Sequence, residues 1–208
     1  MAISYPLTGL IEGLSLRDGY LKPVWRQEGS VTGNGVSVLK DMGPMLWRGT
    51  WQTAVMLRDD AMDLETDLLS LQGGVHLFEG YDPRRPVPRV DTGEDLSAVT
   101  VAAVRADRLA LRLAGLPAGF ILSKSDYVSI DAAGNLHLLK CALGSVADGA
   151  GETGWLEVRP FVRSAIVPGM TAMLRQPCAR FQLEKDSVER QPDGNLDRIS
   201  FSALQVIT

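Results

Sequence analysis

Two arginines flanked by prolines, Arg84 and Arg85 in the run Tyr81-Asp82-Pro83-Arg84-Arg85-Pro86, are the most specific polar feature of this chain. Proline fixes φ and disfavours helix in the residue before it, so the run is a rigid extended corner. Guanidinium groups held that way could clamp the carboxylates of a partner subunit in bidentate fashion; the alternative is a solvated corner. Trp25, Trp47 and Trp51 are too large to expose without reason. Core packing is the default for them, with subunit contact as the remainder.

Other groups have chemical potential but lack the company that chemistry requires. Gly149-Ala150-Gly151-Glu152-Thr153-Gly154 matches the glycine spacing of a dinucleotide-binding loop, which must open a helix at its end. Here Trp155 to Pro160 follows, a strand pattern blocked by proline, so the segment reads as a hairpin turn. His76 and His137, the only histidines, sit inside apolar strand patterns without a cysteine or acidic partner at ligand spacing. The serines form no GxSxG elbow. Asp59, Asp60, Asp63, Glu65 and Asp67 could suggest paired carboxylates, but read better as a capped, solvated helix start. Cys141 and Cys178 form no CxxC pair and read as small buried hydrophobes; their spacing speaks neither for nor against a disulfide. The chain is therefore read as a non-enzyme, with no cofactor and no metal.

The elements that position these residues begin with a strand. Trp47, Gly49, Trp51, Thr53, Val55 and Leu57 share one face of a period-2 pattern. Asp59 or Asp60 falls at an N-cap, and Ala61, Met62, Leu64, Leu68, Leu69 and Leu71 recur at helical spacing until Gly73-Gly74 supplies a left-handed stop. Val75 to Tyr81 returns as a strand. Upstream, residues 1–19 read as an arm, and Tyr20 to Gln27 as a strand that Pro23 either demotes to an edge or marks with a bulge. Glu28 to Met45, with Asn34 between two glycines, reads either as a contact-making loop or as a floppy hairpin. Downstream, Val99–Val104, Leu109–Leu113, Tyr127–Ile130, Leu136–Leu143, Trp155–Phe161 and Met170–Arg175 are strands spaced by turns, as in a small β-barrel or sandwich. Phe181–Leu183 and Ile199–Ile207 are too few to stand alone and return to the sheet begun before Arg89.

The expected fold is mainly β. It comprises a tube-like β-sandwich with one α-helix from residues 1–89 and 180–208, and an inserted small β-barrel, OB-like or similar, from residues 90–179. A chain of 208 residues buries roughly 70% of its unfolded surface, enough to hold a core without a metal or disulfide. The formal net charge of −4 argues against a dedicated nucleic-acid binder. That acidic excess lies in the two ends: residues 1–88 carry 8 basic and 11 acidic side chains, whereas residues 89–179 carry 9 of each. No run approaches 18 apolar residues, so no membrane insertion is expected. The N-terminus lacks the basic and apolar regions of a secretory signal, which points to synthesis and assembly in a cytoplasm.

Taken in order, several segments resemble the distal tail proteins of long-tailed bacteriophages. These are the tryptophan-bearing strand Trp47–Leu57, the helix ending Leu68-Leu69-Ser70-Leu71-Gln72-Gly73-Gly74, the strand His76-Leu77-Phe78, and Tyr81 to Arg89. The second half is similar too, in Leu116-Pro117-Ala118-Gly119 before Asp126 to Ile130, in Ala147-Asp148-Gly149 before Trp155 to Pro160, and in Phe181-Gln182-Leu183 before Ile199 to Ala203. Ser125 departs from the pattern, which has glycine there, and Gly74 stands where a charged residue is more usual. The resemblance implies a ring, expected to be hexameric, that joins the tail tube protein to the tail hub or baseplate protein and passes genomic DNA without sequence preference. Arg84, Arg85, Trp47, Trp51 and Asn34 are the candidate subunit-interface residues, and the virion tail is the expected location. The alternative is a carbohydrate-binding domain for host attachment at residues 90–178, with Tyr127, Trp155 and Phe161 available to stack on sugars. Removal of residues 92–178 is expected to leave a folded core.

Overall fold

The period-2 pattern around the tryptophans becomes the base of a long two-stranded ribbon in the computed structural model, which describes residues 3–207. Met1, Ala2 and Thr208, assigned by sequence to the arm and the closing segment, lie outside the described residues. β1 (Leu16–Val31) and β2 (Ser37–Thr53) pair antiparallel from Leu16 opposite Thr53 to Val31 opposite Ser37. Trp47, Gly49, Trp51 and Thr53 are buried as expected, whereas Val55 and Leu57 are exposed. The alternation ends at Ala54, where the chain leaves the ribbon for the two-residue β3 (Met56–Leu57).

α1 (Arg58–Ser70) follows at once. Its N-cap is Leu57 rather than an aspartate, and no side chain caps it. Asp59 and Asp60 sit in the first turn instead, where their charge still favours the positive end of the helix dipole. Ala61, Leu64 and Leu68 form the buried stripe, while Met62 and Leu69 face solvent. Gln72, Gly73 and Gly74 then take positive φ values of 51°, 64° and 99° and stop the helix. A Cβ on Gly74 would lie 2.7 Å from the Leu183 carbonyl oxygen, so the contact demands glycine as much as the φ does. β4 (Leu77–Gly80) is shorter than the expected Val75–Tyr81.

The middle of the chain supplies β5 (Thr100–Val104), β6 (Ala110–Ala114), β7 (Ile121–Leu122), β8 (Tyr127–Ala132), β9 (Asn135–Leu143), β10 (Ser145–Val146), β11 (Leu156–Arg159) and β12 (Ala172–Met173). Six of these form an antiparallel sheet in the order β12-β8-β9-β11-β6-β5, with β7 and β10 paired apart from it. The two ends of that order are hydrogen-bonded to each other. The Val101 N–H donates to the Met170 carbonyl at 2.8 Å, and the Ala172 N–H to the Val99 carbonyl at 2.9 Å. Val101, Leu111, Leu113, Val128, Ile130, Leu139, Leu156 and Val158 share the apolar core inside. Residues 149–154 form a turn, with Asp148 Oδ1 accepting from the Ala150 and Glu152 N–H groups. No helix opens there, as the hairpin-turn reading requires.

β13 (Ala179–Leu183), β14 (Glu189–Asp193) and β15 (Leu196–Gln205) complete the chain. β15 lies beside β2, with Phe201 opposite Trp51, and β13 joins it to β4, giving the order β1-β2-β15-β13-β4. Both ends of the chain thus build one sheet, and the fold is mainly β with a single α-helix among the described residues. β15 alternates without a break: Asp197, Ile199, Phe201, Ala203 and Gln205 are buried, and the residues between them are half-buried. The second apolar core centres on Trp51, which is fully enclosed. Its ring stacks on Phe201 at 5.5 Å and meets Phe78 and Phe181 edge-on at 5.7 and 5.3 Å. Gly49 makes room for it, because a Cβ there would fall 2.0 Å from the ring.

Candidate functional site

The ribbon formed by β1 and β2 outruns the sheet it belongs to. Among the described residues β15 pairs with β2 only from Arg48 to Gln52, and beyond Trp47 the two strands continue with no third strand of those residues beside them. Trp25 to Met42 are exposed at every position. Thr32 and Val36 close the tip, with the Thr32 N–H donating to the Val36 carbonyl at 2.9 Å and Gly35 at a φ of 77°. Asn34 lies in that turn. Of the two readings of Glu28 to Met45, a contact-making loop and a floppy hairpin, the structure shows a hairpin, formed as a regular strand pair. Trp25, at 57% exposure, and Val31, Val36, Val38, Leu39 and Met42 present apolar side chains to water along it. Cross-strand pairing puts Val36, Val38 and Lys40 on one face and Val31 and Leu39 on the other. An isolated two-stranded hairpin is marginal in water, and one that is apolar on both faces needs a neighbour.

The other interface candidates lie elsewhere. Trp47 and Trp51 are core residues of the protomer, 3% and 0% exposed, and offer nothing to a partner. The Trp47 indole N–H donates to the Leu138 carbonyl at 3.0 Å, and its ring meets Tyr127 edge-on at 5.8 Å. Arg84 is indeed bidentate, but on its own chain: Nε and Nη2 donate to Asp82 Oδ1 and Oδ2 at 3.0 and 2.8 Å. Arg85 approaches Asp126 at 3.9 Å. Both arginines thus reach carboxylates of their own chain, with the Arg84 side chain still exposed and Arg85 half-buried.

That corner is a polar junction between the two sheets. Asp82, buried, also accepts from the Tyr127 hydroxyl at 3.0 Å, and Lys140 Nζ donates to the same hydroxyl at 3.1 Å. Asp126 accepts from the Arg89 and Ser123 backbone N–H groups at 3.0 and 2.8 Å. Burial alone would raise the Asp82 carboxyl, yet its hydrogen bonds from Arg84 outweigh that and hold it below the ordinary range. Burial, then the Asp82 charge, pushes Tyr127 up, and burial pulls Lys140 down. This junction weighs against a clean removal of residues 92–178, because Trp47 would lose both Tyr127 and Leu138, which belong to its core. Asp82→Asn is expected to destabilise the fold by about 2 kcal/mol in urea denaturation, since it unpairs a buried charge-assisted network. Tyr127→Phe, which removes one hydroxyl, is expected to cost about 1 kcal/mol.

His76 stacks on Tyr5 at 3.8 Å. His137 is buried, and its Nδ1 has no hydrogen-bond partner. Burial, then the Arg163 charge, lowers its pKa below 6.5, against a smaller opposing effect of Asp131. A buried neutral histidine stabilises the fold above its unfolded pKa and loses that contribution as pH falls below it. Asp82 acts in the same direction at lower pH, from 3.8 downward. The expected result is a two-step acid loss of stability, with His137→Phe removing the step that begins near pH 6.5, as read by thermal melts across pH. Cys141 is buried and Cys178 half-buried; both are free, and burial raises each thiol to about 12. Tyr127 is enclosed and cannot stack on a sugar, whereas Trp155 and Phe161 remain partly exposed. Among the described residues no group of three His, Cys, Asp or Glu side chains could hold a metal ion, and no helix is long and apolar enough to cross a membrane.

Sequence reading missed the Asp82–Tyr127 pair, which is separated by 45 residues and carries no local pattern. It leaves Glu28 to Met45 open between a loop and a hairpin, although Asn34-Gly35 between Val31 and Val36 is a recognised hairpin signal. No protein-family model and no curated protein matches the chain.

Proposed function

We propose that this chain is a structural, ring-forming component of a bacteriophage tail tip, a distal tail protein. It would stand, expected as a hexamer, between the tail tube protein and the tail hub or baseplate protein. In this reading residues 1–89 and 180–208 form the tube-like, ring-forming domain, a β-sandwich once neighbouring copies are in place. Residues 90–179 form a β-barrel carried on its outside; the hydrogen bonds joining the β5 and β12 ends of the second sheet support closure. The protein is assembled in the host cytoplasm, resides in the virion tail and has no catalytic role.

The observation that carries the reading is the exposed apolar hairpin of residues 25–42, a surface that suits another protein chain better than a small molecule. Copies of one chain that meet through two different patches close into a ring when the rotation between them allows it. The net charge of −3 on residues 1–88 also suits a wall along which DNA moves, since a basic lumen would hold phosphates by counterion release. Negative-stain electron microscopy of the purified chain tests the proposal. Annular particles with an open centre are expected, and a field of separate protomers at high concentration would contradict it.

A further inference from the structure

One titratable side chain of the second sheet is enclosed without company. His137 lies on β9 opposite Ile130, only 5% exposed, and its Nδ1 has no hydrogen-bond partner among the described residues. Ile130 shares the inner core of that sheet with Val162 and Ile166. Those two residues flank Arg163, whose Nη2 is likewise buried and unpartnered. Arg163 and Asp131 are the charged groups that act on His137. Asp131, on β8, is exposed, and its Oδ1 already accepts from the Gly134 N–H at 2.7 Å.

Val162, Arg163 and Ile166 belong to residues 160–170, which run from β11 to β12 without forming a strand. The segment is tied to β5 and to the turn before β6. The Val162 N–H donates to the Arg108 carbonyl at 2.7 Å, and the Gly169 N–H to the Val101 carbonyl at 2.8 Å. Arg108 Nη1 donates to the Arg163 and Ile166 carbonyls at 2.8 and 3.1 Å, which brings a second guanidinium to the segment. A proton on His137 therefore creates a buried imidazolium near arginines, with an N–H that has no acceptor waiting for it. Lifting the segment removes the Arg163 charge and lets water reach the ring.

We propose that residues 160–170 are an acid-released strap: protonation of His137 frees them from the second sheet while the rest of the fold stays in place. Val162 and Ile166, enclosed at neutral pH, then reach the surface, so acid uncovers an apolar patch. The device is independent of whether the chain assembles. Its direction follows from linkage. Burial and the Arg163 charge disfavour the imidazolium in the closed state, so opening gains ground as pH falls below 6.5.

The test is hydrogen exchange of the full-length chain, read by mass spectrometry at about pH 7.5 and about pH 5 with intrinsic rates divided out. Peptides covering residues 160–170 are expected to lose roughly tenfold in protection between the two, about thirtyfold being the ceiling that one histidine sets at the lower pH. They should exchange ahead of peptides from β9, which wait for global unfolding. In His137→Phe and His137→Gln the pH dependence of the segment is expected to vanish, whichever of the two folds better. Exchange of the segment in step with β9 at both pH values would mean that His137 answers to global unfolding alone, and would overturn the strap. Protection that does not change with pH, or a loss that persists in both variants, would overturn it as well.

Discussion

Excising Gln27–Met42 and joining Arg26 to Gly43 through an Asn-Gly turn is expected to leave a folded protomer that no longer self-associates. Arg26 and Gly43 are directly opposite in the ribbon, so a two-residue turn closes the strands without a change of register. The segment removed contributes Val31, Val36, Val38, Leu39 and Met42, none of which touches the protomer's own cores. Half-burying each against a neighbour is worth roughly 1 kcal/mol, so about 5 kcal/mol of gross contact energy disappears. That corresponds to a loss of affinity beyond about a thousandfold. The melting temperature of the dissociated protomer should stay within about 2 °C of the wild-type protomer measured at a dilution where it too is dissociated. A marked drop would mean that the hairpin stabilises its own chain instead.

The second large effect is of the opposite kind. Trp51→Ala is expected to cost about 4 kcal/mol of folding stability in urea denaturation, the upper range for emptying an aromatic core site. The ring contacts Phe78, Phe181 and Phe201, and those residues sit on β4, β13 and β15, so one side chain ties both ends of the chain to the β2 strand. Relaxation into the cavity is limited because Gly49 and Gly80 bring backbone against the ring on two sides. A loss under about 1 kcal/mol would show that the site collapses freely and that the shared core is not what holds the ends together. The two variants separate assembly from folding: the first changes mass with little change in stability, the second the reverse.

The parts of this fold legible in the sequence were those where one face of an element is buried. Trp47 to Thr53 and Ile199 to Gln205 alternate because a core lies on one side only, and that alternation survives into the structure residue by residue. The return of the last strand to the first sheet rests instead on there being too few strands at that end of the chain to form a domain alone. Beyond the core the code fades. Residues 25–42 are exposed on both faces, so no period is imposed, and Gly29, Gly33, Gly35, Gly43 and Pro44 made a strand pair look like loop. β14, reading Glu-Arg-Gln-Pro-Asp, is polar throughout and gave no signal for the same reason. The sequence leaves the Arg84-Arg85 corner open between a clamp on a partner subunit and a solvated surface. Its carboxylates are Asp82, two residues away, and Asp126, just before β8, and sequence does not say which carboxylate a corner faces.

Ser125 takes a φ of 75°, the left-handed region that glycine enters without strain. The turn is held by the Ser125 N–H donating to the Cys141 carbonyl at 2.8 Å and by Asp126 accepting from the Ser123 N–H.

Native mass spectrometry of the intact chain over a hundredfold range of concentration weighs the whole account at once. A closed assembly at six times the 22.5 kDa protomer mass is the predicted result. A single species at the protomer mass throughout would contradict it.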